Sequence, residues 1–490
     1  MYTIFVALGG TGTQISYAIG SIYPLLQKSN VSQSKIDMYI LDKDTKSGIY
    51  IACGDTHKNY GYYKQLLPFE SLPVWTLKQG VYQEMQEKNA LRNSNYTVID
   101  LIGNDKIMKD LASMCWIKEK RDESIKDGNN RDPSRGSLDA GVCLEYLEET
   151  SLFEGIEKVK SELGEAGVRV VMLGGATGGM GSSLIVPLAK KIRERWRNVR
   201  IDMVILGTYF AIPHRQRQSQ AGASDVDNIG TSFDSFYRAA DQMQELAALA
   251  DGWRVYYTAI PEFDDTCGKF EKNGADKRKA HLLELSAALA AFALESLPPG
   301  FYRTVLSYDE SVADSGVEWA EIPLGAEIKK TAEDFMRLIS ISADILLPLF
   351  SKDKTALKND SYLKFYLKKP AESAEIIEKM REKLKKWLDA VKPFFDFWNE
   401  IQIYTQLGKK DGRTIVKFFP EEEMRALAGI INSTQPPWEN KMPLCLETWN
   451  NFANDLEPNK KELMTVKDDP DKLLALMIKD VYEKLSRRAA

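Results

Sequence analysis

Cysteine and histidine are scarce in this chain: 490 residues hold five of the first and three of the second. Cys53, Cys115, Cys143, Cys267 and Cys445 are odd in number, far apart and never spaced C-x-x-C. That excludes a disulfide framework and a cysteine zinc site, and it suits reduced, buried thiols. His57, His214 and His281 are scattered, so a histidine-rich metal site is not expected. No apolar run approaches the roughly 20 residues that a membrane span needs. The opening MYTIFVALGG has neither a basic lead nor a cleavage site, unlike a secretory signal. Together these features lead us to expect a cytoplasmic protein. An excess of basic charge is missing too. With 65 Lys+Arg against 70 Asp+Glu the formal net charge is −5, which removes the general electrostatic signature of a duplex nucleic-acid binder. The remainder is ordinary globular composition, 44% hydrophobic and 28% charged. At roughly 150 residues per domain, the chain holds about three domains' worth of residues, or two large ones.

Short apolar runs rich in Val, Ile, Tyr and Leu stand at Tyr2–Leu8, Ile36–Leu41, Tyr96–Ile102, Val168–Leu173, Ile201–Tyr209 and Trp253–Ile260. Each fits a strand buried on both faces. Amphipathic stretches lie between them, among them Gln14–Gln27, Leu138–Leu163, Leu184–Trp196 and Phe233–Leu249. This alternation predicts an α/β fold, a parallel sheet with helices on both faces and ligands outside the carboxyl ends of its strands. The segment 44–95 is mixed, and 117–136 is densely polar and reads as a surface loop. After Pro298-Pro299-Gly300 the pattern turns largely helical, over Ala326–Leu349, Ala371–Val391 and Lys460–Arg487, with strand-like pieces at Tyr302–Tyr308, Val317–Ile322 and Thr414–Phe418. We therefore expect a sheet domain over 1–297 and a helix-rich domain over 298–490.

Two glycine clusters follow strands and open helices. One is Gly9-Gly10-Thr11-Gly12-Thr13-Gln14 and the other is Gly174-Gly175-Ala176-Thr177-Gly178-Gly179-Met180-Gly181-Ser182-Ser183. Glycine lets an anion approach the backbone without interference from Cβ. The free amides and dipole of a helix start then favour phosphate, with Thr and Ser hydroxyls as further donors. Neither cluster has the lysine of a P-loop. Gly10 and Gly12 begin a dinucleotide fingerprint, but Ile15 stands at its third glycine. Neither Ser182 nor Ser183 completes a nucleophile elbow. The bland reading is a pair of tight strand–helix turns; five glycines in eight positions of the second cluster favour a nucleotide di- or triphosphate.

GGATGGMGSS resembles the signature of the tubulin/FtsZ superfamily, GGGTGSG and its relatives, where the loop wraps the phosphates of GTP. Gly9–Gln14 is similar to the first loop of the family, with Gly12 and Gln14 in place. Leu41-Asp42-Lys43-Asp44-Thr45 resembles the acidic loop near the nucleotide, so Asp42 and Asp44 would hold Mg²⁺ through water; a solvated strand-end turn is the plainer alternative. Asn129, Asn130, Arg135 and Gly136 lie in a stretch similar to the third loop, which closes on the γ-phosphate; a loop without a ligand role is again the alternative. The resemblance covers roughly 1–297 and is nearest to divergent prokaryotic tubulin-like proteins. By position it makes Ala211–Asn228 the ribose-side loop and Lys277–Ser296 a long central helix. Asn228 and Asn273 would read guanine edges or serve as turn residues. His281 would meet the base or simply cap its helix.

The resemblance implies GTP/GDP binding, self-association into an oligomer or filament, and a protein partner for the helical region. The acidic GxxNxD-type motif of polymerising relatives is missing. Its place reads Glu295-Ser296-Leu297-Pro298-Pro299-Gly300-Phe301, with Asp309 and Glu310 a little further on. Hydrolysis is therefore expected to be slow or absent, since groups that orient water carry much of GTPase acceleration. A scaffold that keeps the fold without the ligand is the alternative class, and an NAD-dependent oxidoreductase a third.

Overall fold

The structure, a computed structural model, describes residues 1–32, 34–66, 75–88, 146–176, 179–207, 252–259, 280–306, 316–350, 361–367, 373–404, 406–407, 413–414, 416–419, 460–466 and 468–488, with a few isolated positions such as Gly136 and Leu144. Its first half is Tyr2–Leu8 (β1), Gly9–Lys28 (α1), Lys35–Leu41 (β2), Gly48–Leu66 (α2), Thr76–Lys78 (β3), Val81–Lys88 (α3), Ser151–Leu163 (α4), Val168–Gly175 (β4), Gly179–Arg195 (α5) and Arg200–Leu206 (β5). Then come Arg254–Ala259 (β6), Leu282–Ala293 (α6), Gly300–Val305 (β7), Gly325–Ile341 (α7), Ala374–Tyr404 (α8) and Pro470–Arg488 (α9).

The seven strands form one sheet in the order β3-β2-β1-β4-β5-β6-β7, parallel throughout. In β1, Val6 lies opposite Tyr39 of β2 and Met172 of β4. Successive β1 side chains point to opposite faces. Phe5 and Ala7 enter the core beneath α1 and α6, and Ile4, Val6 and Leu8 enter the one beneath α3, α4 and α5. Both faces are covered, which explains why the strands read as continuous apolar runs. Strand order reverses between β1 and β4, the crevice where such sheets take ligands.

Helix α6 is buried from Leu282 to Phe292. Its alanines at 287, 288, 290 and 291 let it lie close to β5 and α1, while Phe292 packs edge-on to Phe5 at 5.4 Å and stacks on Tyr23 at 6.3 Å. Outside it, α7, α8 and α9 continue the same hydrophobic core as a third layer. Tyr17 of α1 meets Phe397 of α8 at 5.8 Å, Ser29 meets Thr331 of α7 at 2.7 Å, and the amide of Ala280 donates to Glu400 Oε2 at 3.0 Å. Trp319 sits among Trp398, Phe418 and Phe419, with centroids 5.4, 4.4 and 5.7 Å away. Among the described residues no helix is long and apolar enough to cross a membrane.

Several expected elements differ. The edge strand beside β2 is Thr76–Lys78, three residues inside the segment read as mixed. Val317–Ile322 is not a strand: Val317 makes one bridge to Val416, and Trp319–Glu321 is a single 3₁₀ turn. Helix α8 runs to Tyr404, through Pro393. The described part of the central helix is Leu282–Ala293, starting after His281. Strand β7, just past Pro298-Pro299, still belongs to the sheet. Apart from single positions such as Thr97, Tyr96–Ile102 lies outside the described residues, as does Phe233–Leu249.

Candidate functional site

The two glycine clusters leave β1 and β4, the neighbouring strands on either side of the reversal, and they touch. A methyl group built on Gly9 would lie 3.4 Å from the Gly181 nitrogen and 3.5 Å from Met180 Cβ. One on Gly175 would lie 2.8 Å from Thr11 Oγ1, and one on Gly181 would lie 2.9 Å from the Leu8 carbonyl oxygen and 3.1 Å from the Gly175 nitrogen. Gly12 is tighter still, 2.5 Å from the Leu173 oxygen and 2.9 Å from the Ala7 carbonyl carbon. These glycines are bare because two strand–helix turns interlock. Gly9 is glycine for a second reason, its φ of +65°. Gly10 differs from all of them. It is exposed, and among the described residues a methyl there would have only Asp42 Oδ2 as a neighbour, at 4.0 Å.

Two helices, α1 and α5, therefore start side by side at the carboxyl edge of the sheet. Neither has an acidic residue in its first turn, and Leu8, the residue before α1, supplies no side-chain cap. First-turn amides and aligned dipoles favour an anion at such a place. The Ala176 amide donates to the Leu206 carbonyl at 2.8 Å and pins the second turn to β5. Thr11 is half-buried, whereas Thr13, Gln14, Gly174, Met180 and Ser182 are buried behind the turns.

Asp42 follows β2 and points under the first turn. Its Oδ1 accepts from the Asp44 amide at 3.1 Å, and the Thr13 hydroxyl reaches both Asp42 Oδ2 at 3.1 Å and the Gly9 carbonyl at 3.0 Å. Burial pushes the Asp42 carboxyl up to about 6, although these hydrogen bonds oppose the shift. Asp44 is exposed and accepts from the Lys46 amide at 3.2 Å. Among the described residues, no group of three or more His, Cys, Asp or Glu is arranged to hold a metal ion. Two oxygen donors on one turn suit Mg²⁺ only as part of a shell completed by phosphate and water.

His281 is fully buried, and its Nδ1 accepts from the Leu283 amide at 3.1 Å, capping α6. Gly136 is buried in a helical turn. Gly179 opens α5. Asn129, Asn130, Arg135, Thr177, Gly178, Asn228, Asn273, Asp309 and Glu310 lie outside the described residues.

Two further polar groups belong to no sequence motif, one beside the site and one remote from it. Cys53 of α2 donates its Sγ–H to the Thr13 carbonyl at 3.3 Å, and burial pushes the thiol pKa up. At the opposite end of the sheet, Asp202 is surrounded by arginines. Arg169 Nε lies 2.5 Å from its Oδ2, Arg200 Nε 3.2 Å away, and Arg254 Nη1 is 3.7 Å from Oδ1. The same arginines donate to carbonyls at the end of α6: Arg169 to Ala291 at 2.6 Å, Arg200 to Glu295 at 2.9 Å and to Leu294, and Arg254 to Leu297. The available clue was an Arg and an Asp standing inside the apolar runs VRVVML and RIDMVIL.

No family model and no curated protein sequence matches the chain. Among solved structures it is similar to CetZ2 from Haloferax volcanii, described as a GTPgS-bound protofilament, at 14% identity and a TM-score of 0.29. The match covers 62% of this chain and 64% of that one. At that TM-score it has no bearing on the site.

Proposed function

We propose that the chain binds a nucleoside triphosphate at the joined glycine turns, with GTP as the nucleotide, and that bound nucleotide favours association with further copies of the chain. The observation that supports it is the junction itself. Two helix starts meet at the reversal point of a parallel sheet, with Gly10 open and no competing carboxylate in either first turn. The choice of GTP rests on the glycine motif GGATGGMGSS. In this reading the amides of the α1 turn hold phosphate oxygens, and Asp42 and Asp44 stand where they would share Mg²⁺ with the phosphates through water. Bound Mg²⁺ would supply charge neutralisation there. The fully buried α6 carries the response towards the third layer, because its start is tied to α8 through Glu400. Only contacts made in one nucleotide state can shift such an equilibrium.

Ligand at about a hundred times its dissociation constant stabilises the folded state by roughly 2.7 kcal/mol. We expect a melting shift with GTP and Mg²⁺, none with ATP or NAD, and sedimentation of the protein with GTP but not GDP. No shift with any nucleotide would favour the scaffold reading, in which the interlocked glycines serve packing alone.

A further inference from the structure

The amino edge of the sheet holds a cavity of about 820 Å³, between the start of β4, the turns before β5 and β6, and Pro299. It lies at the opposite end of the strands from the glycine turns. A seven-residue strand such as β5 separates the two ends by roughly 20 Å. Arg193, Arg197, Arg200 and Arg254 line it, with Glu165 as the one acid among the described lining residues.

Arginines outnumber acids here: Arg169, Arg193, Arg197, Arg200 and Arg254 stand against Asp202, Glu165 and Glu295, the last acting on Arg169. Arg200 and Arg254 form the floor and share the single buried carboxylate of Asp202 with Arg169, whose Nη1 has no hydrogen-bond partner. The carbonyls at the end of α6 add only a partial negative charge. Burial lowers the Arg254 pKa, and the neighbouring Arg200 charge pushes it the same way. At the rim, Glu165 Oε2 accepts from the Asn198 amide at 3.0 Å. Arg193 turns Nη1 to the Arg197 carbonyl at 2.8 Å. Among the described residues neither Arg193 nor Arg197 carries a salt bridge, while adjacent Arg195 and Lys191 both pair with Glu148, at 2.6 and 3.3 Å. Gly252 has φ +99°, and among the described residues a methyl there would meet only Arg193 Nη2, at 3.9 Å.

We propose that this cavity is a second anion site, for a small ligand carrying two or more phosphate groups. Guanidinium forks fit phosphate oxygens in pairs, and the volume lies within the range of small-molecule pockets. The site is independent of the nucleotide reading and uses none of its residues.

Pyrophosphate titrated calorimetrically into the full chain at low ionic strength, without Mg²⁺, tests it. Wild type should bind, and the Arg193→Ala/Arg197→Ala variant should bind at least tenfold more weakly. Asn198→Glu, which places a carboxylate at the exposed rim, should also weaken binding, and it covers the case in which the double variant does not fold. Arg193→Lys/Arg197→Lys should fall between them. Gly10→Val, which closes the glycine turns to phosphate, should still bind pyrophosphate at the arginine cavity, so that any uptake by the turns is separated from this site. Failure of wild type to bind pyrophosphate would overturn the proposal, as would wild-type affinity in both rim variants or loss of binding in Gly10→Val alone. A GTP melting shift that survives in the rim variants leaves the nucleotide reading standing whichever way the titration falls.

Discussion

Alanine substitution two residues apart should have opposite effects at Gly10 and Gly12. A Cβ at Gly12 would enter to 2.5 Å from the Leu173 oxygen, 2.9 Å from the Ala7 carbonyl carbon and 3.1 Å from Ala7 Cα. Ordinary contact begins nearly 1 Å further out, and all three atoms belong to the backbone of the two central strands, which cannot rotate aside. Overpacking of this kind costs typically 1–3 kcal/mol and sometimes more. A rigid backbone obstacle puts Gly12→Ala at the upper end, so even after the gain of roughly 1 kcal/mol for Ala over Gly in a helix it should lose about 2 kcal/mol. Gly10→Ala meets nothing nearer than 4.0 Å among the described residues and keeps most of that gain. The two variants should therefore differ by about 3 kcal/mol. Denaturant unfolding followed by far-ultraviolet circular dichroism reads the difference. Equal stabilities would refute the interlocked turns, and with them the distinction between glycines kept for packing and the one left open.

Asp42 has a folded-state pKa of about 6 against about 4 unfolded, so the protonated form is favoured on folding. Its contribution is fully present below about pH 4 and is lost as pH rises through 6, about 3 kcal/mol in all; Asp42→Asn should remove that slope from unfolding measured across the window. His281→Ala should cost about 1 kcal/mol through loss of the α6 cap, and His281→Asn should restore it, because Asn is a strong N-cap. Loss of GTP affinity in the Asn variant, by calorimetry, would assign the ring to the base instead of the cap alone. Asp202→Asn leaves three arginines without their shared carboxylate and should destabilise the fold by about 3–5 kcal/mol in the same unfolding assay.

The central strands were legible because burial on both faces makes an uninterrupted apolar run, as in Ile4–Leu8 and Met203–Leu206. Edges were not. Thr76–Lys78 pairs with β2 over three residues, so periodicity had too little length to act on. Val317–Ile322 has a strand's composition, but the reciprocal cap between Glu318 and Glu321 closes a 3₁₀ turn there. The helical stretch read as Ala371–Val391 continues past Pro393, where Phe394, Phe395, Phe397, Trp398 and Ile401 bury enough apolar surface to offset the hydrogen bond that a proline removes. At the site, the glycine spacing pointed to two turns at one sheet edge. It could not say that Gly12 is spent on the backbones of Leu173 and Ala7, Gly175 on the Thr11 side chain and Gly181 on the Leu8 carbonyl, since that depends on which strands are neighbours. The Asp202 arginines escaped notice for the same reason: Arg169, Arg200 and Arg254 come from three strands that only the sheet order brings together.

Calorimetric titration of GTP with Mg²⁺ into wild type and Gly10→Val tests the central claim most directly. Branched bulk at Gly10 fills the side of the joined turns where, among the described residues, a Cβ meets nothing nearer than Asp42 Oδ2 at 4.0 Å. We predict one GTP per chain in wild type and no detectable binding in a Gly10→Val protein that melts within a few degrees of it. GTP binding of equal affinity in both proteins, or none in wild type, would contradict the account.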